Sequence, residues 1–178
     1  PDLAGSGQRA WLDRLELEHD NLRATIDRAV ADGDGETAIG LAHALWRFWQ
    51  QRGYLNEARA RLEKMAARDW DLEPVDRARF AETLGGVAYW QSDRPAAQQW
   101  YDVALAAWRE MGDRSEIANA LYNRAYADMI VVMTGLATPT THDEGKTMLE
   151  EALAIYRDLG DTAGEGNVVW GLGSFSYF

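Results

Sequence analysis

The sequence predicts an all-α fold of about eight helices, stacked as antiparallel pairs in a solenoid. Three observations predict it. Apolar residues recur every three or four positions along nearly the whole chain, which is the period of one helix face. No sustained alternation of Val, Ile or Thr marks a strand. Small residues return at matched places in successive segments, and a helix pair with so little apolar surface needs copies of itself beside it.

Residues 8–32 read as one helix whose stripe is Trp11, Leu12, Leu15, Leu22, Ile26, Ala29 and Val30. Gly33 suits the left-handed residue after a helix, and Asp34 is placed to cap the next one. Residues 36–51 carry Ala38, Leu41, Ala42, Leu45, Trp46, Phe48 and Trp49, and Gly53 breaks the pattern. Residues 54–68 carry Leu55, Ala58, Leu62, Met65 and Ala66. A turn over 69–74 leads into a helix at 75–91, with Ala78, Ala81, Leu84, Gly85 and Ala88. Residues 94–111 carry Ala97, Trp100, Tyr101, Ala104, Leu105 and Trp108. The next helix spans 115 to about 134, with Asp113 or Ser115 as its cap. Residues 135–142 read as a loop. The helical pattern resumes over 143–159, and 162–178 begins another first helix.

The pairs overlay. Ala58, Leu62 and Met65-Ala66 match Ala97, Tyr101 and Ala104-Leu105, and both match Gly145, Leu149 and Ala152-Leu153. In the first helices Leu45-Trp46 aligns with Leu84-Gly85, Arg124-Ala125 and Leu172-Gly173. Leu84 follows Leu45 by 39 residues, and Arg124 follows Leu84 by 40. The expected organisation is a single repeat domain, itself a fragment of a longer protein. A leading helix occupies 8–35, repeats occupy 36–69, 74–113 and 114–160 (the last with 135–142 inserted), and a truncated fourth occupies 161–178.

These small residues, Gly53 at the inner turn, and the Ala–aromatic or Leu–Ala-Leu pattern of each second helix resemble a tetratricopeptide repeat array. Trp46 stands at the usual small position of the first copy, Gln91-Ser92 replaces the inner Gly of the second, and Arg124 occupies a normally apolar place in the third. The stretches Trp11-Leu12-Asp13-Arg14-Leu15, Glu18-His19-Asp20-Asn21-Leu22-Arg23-Ala24 and Leu45-Trp46-Arg47-Phe48-Trp49 resemble the sensor array of bacterial STAND-type signalling ATPases. Such arrays are attached to LuxR-type transcription regulators and to some nucleotide cyclases. The resemblance implies a right-handed superhelix whose first helices line a concave groove.

Composition narrows the function. The net charge of −11 repels polyanions, and the 18 Lys and Arg residues are scattered, so this segment is not expected to bind nucleic acid directly. No apolar run comes near the ~20 residues that span a bilayer, so no membrane contact is expected. The absence of Cys excludes thiolate chemistry and fits a reducing, cytoplasmic setting. Three histidines, none paired at i, i+4, leave no helix-borne metal pair, and no nucleophilic triad follows from the spacing. No enzyme activity, metal or cofactor is expected.

Eight Trp and seven Tyr exceed what repeat packing needs. If the small residues face the partner helix, Arg47, Gln50, Arg79, Glu82, Tyr89, Trp90, Asn119, Tyr122, Asn123, Tyr126 and Trp170 face or flank the groove. Aromatic, Asn and Arg side chains on rigid helices suit a peptide, a protein surface or a small effector. For Tyr89 and Trp46 the competing expectation is inter-repeat core. The expected function is a non-catalytic interaction and sensing module of a larger bacterial signalling or transcription regulator. Two alternatives stand beside it: a passive oligomerisation scaffold and a small-molecule receptor. The apolar C-terminal segment, through Val168, Val169, Trp170 and Phe175, is expected to drive self-association.

Overall fold

The computed structural model describes residues 7–133 and 138–177. Among the described residues there are nine helices and no strand, and no helix is long and apolar enough to cross a membrane. The chain divides between Ser92 and Asp93 into two compact units.

The first unit holds α1 (Gln8–Leu17), α2 (His19–Asp32), α3 (Gly35–Arg52), α4 (Leu55–Ala66) and α5 (Pro74–Trp90). Its middle is α3, which packs against α2, α4 and α5 and buries Ile39, Ala42, Phe48 and Trp49. The single leading helix expected over 8–32 is broken at Glu18, whose φ of −96° and ψ of 0° leave the helical region. The reason is burial. No residue of α1 is buried, whereas the bend turns His19 inward against Phe48 and Tyr54, with ring centroids 5.1 and 4.3 Å away. Arg23 holds α2 to α4 through Glu57, and Arg61 returns the contact through Asp27. The turn before α5 is pinned by Trp70, whose indole N–H donates to the Met65 carbonyl at 2.6 Å and whose ring covers Gly35.

The second unit holds α6 (Arg94–Met111), α7 (Arg114–Met133), α8 (Pro139–Leu159) and α9 (Thr162–Tyr177). Each packs on the next, and α9 also touches α7. The matched small residues point into cores: Ala58 is 1% exposed, and Ala97 and Ala104 are fully buried. Helices α8 and α9 run antiparallel with glycines beneath aromatic rings at both ends, Gly145 under Phe175 and Gly164 under Tyr156. Gly171 meets Leu149 between them. Burial pushes the Tyr156 hydroxyl pKa up to about 12.

Helix ends follow local chemistry. Gly33, Gly53, Gly112 and Gly160 close α2, α3, α6 and α8 with φ between 70° and 81°. Asp34, Asp93 and Asp113 accept the capping N–H of Thr37, Ala96 and Glu116. The loop expected over 135–142 is corrected at its second half: α8 begins at Pro139, and Thr138 caps it by accepting from Thr141 N–H at 3.1 Å. A Thr cap followed by Pro, whose missing N–H is harmless in a first turn, nucleates the helix one turn early. Gly135, Leu136 and Ala137 lie outside the described residues, as does Phe178.

Candidate functional site

The sequence-predicted groove residues divide between the units. In the first unit, the Arg47 guanidinium lies 3.9 Å over the Trp46 ring, whose far edge packs on Gly86. Gln50 is half-buried nearby in the same helix. Arg79 is exposed and 3.8 Å from Asp76, and its carbonyl accepts the Thr83 hydroxyl. That leaves the Thr83 oxygen to accept from His43 Nδ1–H at 3.1 Å. Glu82 is buried. Tyr89 is half-buried and edge-on to Trp90, which is 47% exposed. Trp46 and Tyr89 thus sit between the two sequence expectations, each partly packed and partly open.

In the second unit the structure brings all five predicted residues together. Tyr122 and Tyr126, one turn apart on α7, place their rings 4.4 Å apart. Trp170 of α9 stacks on Tyr126 at 6.0 Å with 24° between the planes, and it is 62% exposed. Beside this aromatic row runs a polar one: Asn123 donates to Asn119 at 3.4 Å, and Asn119 to Glu116 at 3.5 Å. These amide bonds are long, so an incoming polar group can exchange for them at little cost. The α7 spacing of three and four residues produces both rows, because such residues share one helix face. The arrangement offers flat apolar surface next to amides that both donate and accept.

Two features escaped the sequence reading. The first is a buried ion network joining α6 to α7. Asp128 is 1% exposed. It accepts from Arg94, Gln98 and Arg124 at 2.6 to 2.8 Å, and Arg124 also donates to Asp102 at 2.8 Å. Burial opposes the Arg124 charge, but the hydrogen bonds and negative charges of Asp128 and Asp102 outweigh it and raise its pKa. A signal was present: Arg94, Gln98 and Asp102 lie four residues apart on one face of α6, and Asp128 lies four after Arg124. The second is a groove of about 450 Å³ between α6 and α8, lined by none of the eleven predicted residues. The sequence places Leu105, Leu121 and Met148 on apolar helix faces and Thr140 in a loop, and no local pattern shows which second helices flank a gap.

No family model matches the chain, and no curated protein matches it.

Proposed function

We propose that this chain is a non-catalytic, tetratricopeptide-like recognition module, its helix pairs stacked as a right-handed superhelix within a larger cytoplasmic bacterial signalling or transcription regulator. It captures an extended peptide or protein segment on the first-helix face of α7 and α9. The observation that carries the reading is the row Tyr122–Tyr126–Trp170 beside Asn119 and Asn123. Aromatic rings on rigid helices give contact area at low entropic cost, and Asn side chains can satisfy both N–H and C=O of a peptide. Signal transfer then follows from a difference in binding free energy between two packings of the attached domains.

The test is a peptide selected from a random display library against this chain. Tyr122→Ala, Asn123→Ala and Trp170→Ala should each weaken its binding at least about tenfold, or about 1.4 kcal/mol, while the helical melt stays in place. Selected peptides indifferent to all three substitutions would sink the assignment.

Val169, Trp170 and Tyr177 are exposed on α9, and they support a second reading in which this helix meets a second copy of the chain. A dimer by light scattering at about 100 µM, lost in Trp170→Ala, favours it; a monomer removes it.

A further inference from the structure

The groove between α6 and α8 lies on the other side of α7 from the aromatic row. Leu121 forms part of its lining and sits about 150° around α7 from the Asn119–Tyr126 face at 100° per residue. Its floor is apolar: Leu105 of α6 is 5% exposed, Leu121 is fully buried, and Met148 of α8 is half-buried. Thr140 closes one end, and it stands in the turn by which α8 exceeds its counterparts. Counting back from the matched small residue, α8 starts six residues before Gly145, whereas α6 starts three before Ala97 and α4 three before Ala58. Thr140, in that extra turn of α8, therefore supplies part of the groove's wall.

The rim is acidic. Asp143, Glu144 and Glu151 lie along it, with Arg109 as the one cation among the described residues that line it. Arg109 is committed to Glu151, donating to both carboxylate oxygens at 2.9 Å. That pair ties α6 to α8 at one end and neutralises one carboxylate. Asp143 and Glu144 remain at the Thr140 end; among the described residues the ion-pair partner of Asp143 is His142, whose Nδ1 lies 3.7 Å away, and Glu144 makes no ion pair. The cavity volume falls in the range of small-ligand sites, roughly 300–1,000 Å³.

We propose that this groove binds a small amphiphilic organic cation, an ammonium or amidinium head on an apolar body. The head lies between Asp143 and Glu144 at the Thr140 end. The body lies on Leu105, Leu121 and Met148, where leaving water drives it in. An anion is repelled by the rim, and a neutral ligand of the same shape loses the charge-assisted contacts. The head's attraction is screened by salt because the two carboxylates are exposed. The site is independent of peptide capture on the far side of α7.

The experiment titrates the chain with phenethylammonium and follows the Met148 methyl resonance. Phenethyl alcohol and phenylpropionate serve as neutral and anionic probes of the same shape. The expected result is a saturable Met148 shift with the ammonium, at least about tenfold tighter than with either analogue. Asp143→Asn combined with Glu144→Gln should abolish that preference without moving the helical melt, and Tyr122→Ala should leave it unchanged. The proposal is overturned by the absence of any Met148 shift up to about 10 mM, by equal binding of the neutral probe, or by full binding in the double variant. Loss of ammonium binding in Tyr122→Ala with retention in the double variant would place the cation on the aromatic row instead and overturns it too.

Discussion

A β-carbon on Gly164 of α9 would stand 2.5 Å from the Tyr156 ring of α8, closer than side chains approach, so the helices meet with bare backbone beneath a buried aromatic ring. Two residues on, Gly166 has open space around the same position. The two glycines therefore respond to one substitution with opposite signs. Gly164→Ala forces the ring or the helix to move and should cost about 1–3 kcal/mol. Gly166→Ala meets nothing and should gain up to about 1 kcal/mol of helix propensity. Denaturant midpoints of the two variants check this, and equal shifts in one direction would show the α8–α9 contact to be misplaced.

Asp128 is the most buried charge of its network and the hub for three donors. Asp128→Ala leaves Arg124 without its buried partner and should cost about 3–5 kcal/mol. Joint replacement Arg124→Leu with Asp128→Leu removes both charges and should cost clearly less. A double-mutant cycle with the single variants measures the coupling, and a double variant as unstable as the sum of its parts would refute the pairing.

Ser92 ends the turn between α5 and α6 with φ of 60°, the one non-glycine in the left-handed region among the described residues. Its counterpart after α3 is Gly53 at 81°. Left-handed backbone costs an L-residue about 1–2 kcal/mol, and glycine's extra unfolded freedom returns about 0.4–1. Ser92→Gly should therefore stabilise by about 0.5–1 kcal/mol and raise the Tm by a few degrees, read by thermal melting.

His43 sits half-buried, and burial together with the Arg79 charge holds its pKa below the ordinary 6.5. The unfolded chain then binds a proton that the folded chain refuses. Stability from this group is complete above pH 6.5 and declines as pH falls toward the folded-state value, at no more than about 1.4 kcal/mol per pH unit for one site. His19 is shifted in the same direction, first by burial and then by Arg23. The denaturant midpoint should fall between about pH 7 and about pH 5, and His43→Asn should flatten part of the slope. An unchanged slope in that variant would remove His43 from the account.

From α2 to α7 most helix ends and inward faces were written in the sequence, because they rest on neighbours within one turn; α1 buries no residue, and α8 starts a turn before its expected place. Gly33, Gly53, Gly112 and Gly160 each take the left-handed backbone that their places after a helix imply. Ala58, Ala97 and Ala104 are buried as the matched spacing requires. The Tyr122–Tyr126 pair was legible for the same reason, being one turn apart on a single helix.

Contacts between helices were decided only in three dimensions. The overlay singled out Gly85 and Gly173 as the small positions, yet it is Gly86 that receives Trp46 and Gly171 that lies against Leu149, while Gly173 faces open space. The bend at Glu18, the partners of Arg124 and the cleft beside Arg109 and Glu151 belong to the same class. A periodic pattern specifies which face of a helix turns inward. The rotation and axial offset that bring one residue under another are set by how the side chains of two helices interlock.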